Sequence, residues 1–120
     1  MVNMSIAEKA VKSLWEDSLT VVERQKYTKP DHTTGFQEVA VISDEACKII
    51  FKTVSVVDQQ EAAELVQSVK LLCDKSLEIK EGSKIVVTHE GRTTSYRRAG
   101  MPAVYSVHQE IMLEPFERWA

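Results

Sequence analysis

A chain of 120 residues suits one domain and can bury roughly two-thirds of its unfolded surface, so its core needs neither metal nor disulfide staples. With 43% hydrophobic and 28% charged residues, the composition is that of an ordinary globular protein and excludes extensive disorder. A net charge of −3 argues against affinity for bare duplex DNA, which rewards many neutralised phosphates, while leaving room for a local basic patch.

The first element in chain order is a helix over 5–15, "SIAEKAVKSLW". Ser5 and Glu8 have the spacing of a capping box, and Ile6, Ala7, Ala10, Val11, Leu14 and Trp15 recur at helical spacing as one apolar stripe. From Leu19 the period changes. "LTVVERQKYT" (Leu19 to Thr28) and "FQEVAVI" (Phe36 to Ile42) read as two strands of a long hairpin. "KPDHTTG" (Lys29 to Gly35) is the loop between them, because Pro, Asp, His, Thr and Gly cluster there. "SDEA" (Ser43 to Ala46) predicts a chain reversal, followed by a third strand "CKIIFKT" (Cys47 to Thr53).

Residues 53–66 form a long excursion. "VSVV" favours an extended chain, whereas "DQQEAAELV" offers Asp58 as a helix cap with Glu61 three residues on. Val66 to Cys73 fits either a short buried helix or a strand. The expectation is a short helix near 58–65 and a strand near 67–73. "DKSLEIKEG" (Asp74 to Gly82) is a turn with a short extended piece. "KIVVTHEGRTTSYRR" (Lys84 to Arg98) is a hairpin with Glu90-Gly91 as a two-residue turn, Ile85 facing Tyr96 and Val87 facing Thr94. After a loop, "AGMPA", comes a last strand "VYSVHQEIMLE" (Val104 to Glu114) and a tail "PFERWA" (115–120). The fold class is therefore mainly β. We expect a small antiparallel barrel or compact sandwich of about six to seven strands in one domain, with an N-terminal helical extension over 1–17 and a long loop at 53–66.

Catalytic and metal chemistry find little support. His32, His89 and His108 have no zinc-like spacing with one another or with Cys47 and Cys73. The cysteines sit in apolar strand interiors and read as buried free thiols of a reducing compartment. No nucleophile elbow, phosphate loop or dinucleotide fingerprint is present. The expectations are no cofactor, no metal and no enzyme activity. With no apolar signal run and no 18-residue apolar span, they extend to a cytoplasmic chain without membrane contact. Arg24, Lys26, Arg97 and Arg98 are candidates for weak phosphate contacts.

Two features go beyond a plain globular domain. Val11, Leu14 and Trp15 on the helix, and Phe116 and Trp119 in the tail, place apolar surface at the margins, where a partner subunit would cover it. The excursion places Val54, Ser55, Val56 and Val57, followed by Asp58, Gln59, Gln60 and Glu61, where unpaired backbone could template pairing with a neighbouring chain.

The order of these pieces resembles the head-closure (stopper, or head-completion) proteins of long-tailed bacteriophages, in the version found in PBSX-type defective prophages. The matching stretches run nearly end to end: "LTVVERQKYTKPDHTTGFQEVAVI", "ACKIIF", "KLLCDKSLEIKEGSKIVV" and the closing "VYSVHQEIMLE". Ser83 stands where the family usually carries Asp, and "RTTSYRRAGMPA" departs from the family's usual strand there. The resemblance implies a non-enzymatic virion part. It would be a monomer when isolated and would assemble into a ring, a dodecamer, beneath the portal and its adaptor proteins. There it would close the channel on packaged DNA, touched only transiently, and present the docking face for tail-completion or tail proteins. In the family a long internal loop closes the channel, and that loop corresponds here to 53–66. The location implied is the cytoplasm during assembly and then the head–tail interface of the particle. The alternative from another class is a single-stranded nucleic-acid-binding barrel with Tyr27, Tyr96 and Tyr105 as stacking platforms.

Overall fold

A computed structural model describes residues 6–56 and 64–119. A short helix, α1 (Ile6–Lys12), precedes seven strands: β1 (Asp17–Thr28), β2 (Thr34–Val56), β3 (Glu64–Cys73), β4 (Lys84–His89), β5 (Arg92–Arg98), β6 (Ala103–Val104) and β7 (Gln109–Pro115). All pairings are antiparallel and belong to one sheet. The order β3-β2-β1-β4-β5-β7 is joined at its ends by β3–β7 pairing, so six strands run round a closed, barrel-like circuit, with β6 appended to the start of β7. Closure removes sheet edges wherever it holds, as expected of a small all-β chain.

The core fills this circuit. Leu19 and Val21 of β1, Cys47 and Ile49 of β2, and Leu71 and Cys73 of β3 are buried at every second position. So are Ile85 and Val87 of β4, and Ile111 and Leu113 of β7. Ile79, from the segment before β4, closes the cluster with half-buried Leu77 against it. Alternation at period two is what one buried sheet face demands.

The predicted β4–β5 hairpin forms in the expected register, with Ile85 opposite Tyr96 and Val87 opposite Thr94. Its turn has positive φ at both Glu90 (49°) and Gly91 (75°), the conformation that matches the right-handed twist of the flanking strands. The predicted Lys29–Gly35 loop forms over Lys29–Thr33 only, because Thr34 and Gly35 pair with Thr28 and Tyr27 as the start of β2. Asp31 accepts hydrogen bonds from the Thr33 N–H and Oγ1, and His32 takes φ 67°.

Four expectations change. First, the helix is α1, Ile6–Lys12, shorter than 5–15. Ser5 lies outside the described residues, and Trp15 is buried in the chain's own interior, not free for a partner. Second, Ser43 to Ala46 does not reverse the chain. The predicted second and third strands are one 23-residue strand, β2. Register shifts opposite Leu19 to Val22 absorb the extra residues as bulges, Asp44 takes φ 49°, and its N–H donates to Thr20 Oγ1 at 3.3 Å. Pairing with β1 on both sides of the bulge keeps the chain running forward. A straight strand of this length would span roughly 70 Å, more than the longest dimension of the molecule, 59 Å, so β2 bends. Third, Glu64 and Leu65 are strand, not helix; the rest of the predicted 58–65 helix lies outside the described residues. Fourth, the last strand is broken into β6 and β7, with the Tyr105 N–H bonded to the His108 carbonyl across the turn.

The bent β2 also explains the extended outline. The radius of gyration is 17.4 Å, against about 13–14 Å for a compact chain of this length. β1 pairs with β4 only as far as Val22, so Glu23–Thr28 and the start of β2 continue as a two-stranded ribbon. At its other end, β2 continues with β3 as a second one.

Candidate functional site

The second ribbon is the distinctive feature. β1 accompanies β2 only to the Asp17–Cys47 pair, and β7 accompanies β3 only to the Leu113–Val69 pair. Beyond these points β2 and β3 remain paired with each other to Val56–Glu64 in unbroken register. Among the described residues, this arm therefore carries two outer edges that no strand covers. Peptide groups in a strand alternate in direction. The Ile49 N–H points to the β1 side, so those of Phe51 and Thr53 do too, past the end of β1. From Phe51 to Val56 the arm advances about 17 Å.

The base of the arm is anchored by a side chain that stands in for the missing strand. Asp17 is buried, and its Oδ2 accepts the Ile49 N–H at 2.9 Å, while its Oδ1 lies 2.7 Å from His89 Nδ1. His89 in turn meets the Phe51 ring edge-on at 5.7 Å. A cleft of about 300 Å³ opens beside them, lined by Ile49, Phe51, Val87, His89, Arg92 and Tyr96. Phe51 is 44% exposed at its rim. On the opposite face of β2, exposed Ile50 is flanked along the strand by Lys48 and Lys52 and across it by Lys70, which pairs with Glu110 at 3.3 Å.

On the closed side of the base, Gln109 begins β7. It is buried, and its Nε2 donates to the carbonyls of Asp74 and Leu77 at 2.7 and 2.6 Å, tying the β3–β4 connection to the sheet. Lys12 of α1 forms an ion pair with Asp74 and so draws the helix to the same connection. Cys47 and Cys73 face each other in the β2–β3 register, both fully buried and both free thiols. Burial pushes each thiol up to about 12, helped at Cys47 by the charge of Asp17 and opposed at Cys73 by a hydrogen bond with Gln109.

The residues singled out from sequence are scattered. Val54, Ser55 and Val56 lie on the arm opposite Val66, Leu65 and Glu64; the segment is paired with β3 on one side, and its other edge is covered by no strand among the described residues. Val57, Asp58, Gln59, Gln60 and Glu61 lie outside the described residues. Val11 is half-buried and Leu14 is 67% exposed. Phe116 and Trp119 meet edge-on at 4.9 Å, with Lys84 Nζ over both rings. Trp119 Nε1 and Lys84 both donate to Glu38 Oε1, so the tail is held against the first ribbon. These two bonds, Lys84 first, hold the Glu38 carboxyl below its usual range.

The four basic candidates do not converge. Arg24 stacks over Phe36 at 4.0 Å and Lys26 is exposed on the same ribbon. Arg97 pairs with Glu114 at 2.6 Å, and Arg98 donates to the Ile79 carbonyl at 2.8 Å. Tyr96 is 8% exposed and cannot serve as a stacking platform. Among the described residues no group of three or more His, Cys, Asp or Glu side chains could hold a metal.

Sequence reasoning missed Asp17, Gln109 and the Cys47–Cys73 juxtaposition. Nothing local distinguishes a strand-opening Asp from a surface one, and the facing of the cysteines depends on a register set over the whole of β2.

No protein-family profile matches the chain, and no curated protein does. Among solved structures, the chain is similar to the phage-like element PBSX protein xkdH from Bacillus subtilis. Identity is 13% and the TM-score 0.48, over 80% of this chain and 90% of that one. A likeness at that level carries no argument about fold or function.

Proposed function

We propose that the chain is a structural head–tail connector component of a phage or prophage particle, acting by contact and not by catalysis. In this reading it forms a ring beneath the portal and adaptor, closes the DNA channel after packaging and presents the surface to which the tail attaches. The order of sequence pieces that resembles head-closure proteins supports the reading. The structural observation that carries it is the β2–β3 arm, which leaves a closed sheet as an open-edged ribbon at the segment that resemblance sets apart.

The physics of such a gate is that of sheet edges. Each arm is already paired internally, so it needs no partner to be ordered at its base, while its outer peptide groups at Phe51 and Thr53 remain available. Arms from neighbouring subunits, brought together on the ring axis, would add edge to edge. Each contact is weak, but ring closure repeats it, and tail attachment need only shift a set of marginal contacts. A chain of net charge −3 also avoids gripping the DNA that must leave.

The test is addition of the purified chain to portal–adaptor complexes, viewed by electron microscopy, with the intact protein and a variant in which residues 51–68, the open-edged part of the arm, are replaced by a short turn. The expected result is that both add a ring and that only the intact chain retains packaged DNA. Retention by the shortened variant would overturn the gate assignment, and failure of the intact chain to add to the complexes would overturn the connector reading. The nucleic-acid-binding alternative has lost Tyr96 to the core and Arg97 and Arg98 to intramolecular partners. A gel shift with single-stranded DNA at low and high salt tests what remains of it.

A further inference from the structure

We propose that Cys47 and Cys73 are a latent cross-strand redox pair whose oxidation to a disulfide staples the base of the β2–β3 arm. The inference does not depend on the function proposed above.

It rests first on register. Cys47 of β2 is directly opposite Cys73 of β3, and both side chains point into the core between the flanking Ile49 and Leu71. It rests second on which kind of opposition this is. The Ile49 N–H is taken by Asp17, on the side away from β3, so the peptide groups of Ile49, and of Cys47 two residues earlier, are directed away from β3. The Cys47–Cys73 pair is therefore of the non-hydrogen-bonded kind. In such pairs the Cα atoms stand about 4.5 Å apart and the side chains approach most closely. A disulfide spans Cα separations of about 4.4–6.8 Å, so the bond needs rotation of the two side chains and little movement of backbone.

The two thiols also sit where a bond would matter. β1 leaves β2 at Cys47 itself and β7 leaves β3 at Val69, so the segment a disulfide would enclose, 47–73, is the arm together with the stretches of β2 and β3 at its base. The arm is held to the body by β3–β7 pairing as far as Val69, by the Asp17 carboxylate and by the core contacts of Ile49 and Leu71.

The chemistry balances with a low-molecular-weight disulfide as oxidant. One cysteine thiolate attacks it and forms a mixed disulfide, expelling one thiolate. The second cysteine thiolate then attacks the protein sulfur of that mixed disulfide and expels the other. Two protein thiols are oxidised, one small disulfide is reduced to two thiols, and the two protons pass to solvent or the leaving thiolates. Burial keeps both groups in the unreactive thiol form, so exchange runs through opening of the β2–β3 base. Once made, the bond is shielded from reductants by the same burial.

The experiment incubates the full chain with oxidised glutathione, once in native buffer and once in urea below the unfolding transition followed by dialysis. Thiol titration, intact mass and peptide mapping follow, with Cys47→Ala and Cys73→Ala as controls. The expected result is loss of both thiols and of two hydrogens in a monomer, faster in urea, with the 47–73 linkage mapped. The apparent Tm should rise on the order of 10 °C and fall back on reduction. Each single variant should instead retain its one thiol or carry a glutathionyl group. Two titratable thiols after both treatments, glutathionyl adducts or intermolecular dimers in the unmodified sequence, or a lowered Tm for the linked form would each overturn the proposal.

Discussion

Asp17 is the side chain on which the geometry of the arm depends most directly, and replacing it with Ala gives a calculable loss. Its side chain is 8% exposed and makes two hydrogen bonds, to the Ile49 N–H at 2.9 Å and with His89 Nδ1 at 2.7 Å. Ile49 is 5% exposed, so water cannot readily replace the carboxylate at its N–H. A hydrogen bond to a charged acceptor contributes about 1.5–3 kcal/mol, and a stranded buried donor costs about 1–3 kcal/mol. The His89 side of the pair is 38% exposed, so solvent recovers much of that contact and it adds about 0.5–1 kcal/mol at most. Asp17→Ala should therefore destabilise the fold by about 3 kcal/mol. Asp17→Asn keeps an amide oxygen for the Ile49 N–H and should lose only about 1 kcal/mol. Equilibrium urea denaturation measures both. With a slope of about 1.5 kcal/mol/M, the Ala variant shifts the midpoint by about 2 M and the Asn variant by well under 1 M, at unchanged slope. Amide exchange at Ile49, whose N–H the Asp17 carboxylate accepts, should speed up most in the Ala variant, because the anchor of the arm is lost before the core. The reasoning is refuted if Ala and Asn are equally costly, or if Ala lies within about 0.5 kcal/mol of the parent, the range of an ordinary surface change.

Other outcomes follow from the same contacts. Glu90 has positive φ without being Gly or Asn, so Glu90→Asn should stabilise the β4–β5 hairpin by about 0.5 kcal/mol, read as a higher urea midpoint; a decrease would contradict the turn geometry. Cys47 and Cys73 have folded values near 12 against 9.0 unfolded, so their contribution is fully present below pH 9 and is lost as pH rises from 9 towards 12. Stability should fall with a limiting slope of about 1.4 kcal/mol per pH unit for each thiol. The Cys47→Ala, Cys73→Ala double variant should lack that slope, and equal slopes would refute the assignment. Glu38 is held below its usual 4.5, so the tail contact it supports is present above that pH and is lost as pH falls through the lowered folded value. In a Trp15→Phe background, Trp119 emission should therefore shift to the red on acidification, and Glu38→Ala should show the shifted emission already at neutral pH.

By itself the sequence determined the class of this protein and its local pieces. Period-two alternation in Leu19–Val21, Cys47–Ile49 and Ile85–Val87 identifies strands with one buried face. Glu90-Gly91 and Lys29–Gly35 mark two of the turns. Such signals are legible because the backbone geometry they encode involves residues a few positions apart. The sequence also set apart 53–66 as a long excursion; the structure places Thr53–Val56 and Glu64–Val66 of it in the paired strands of the arm.

Only the tertiary structure decided what happens at Ser43–Ala46, where polar residues that read as a turn are pulled through as a bulge by β1 pairing on both sides. That one outcome makes β2 a single bent strand. The bent strand creates the arm, brings Cys47 opposite Cys73, and gives Asp17 the Ile49 N–H that β1 no longer reaches. Each of these depends on register between residues far apart in the chain. Register is fixed by the joint burial of the whole sheet face, and no short stretch of sequence carries it.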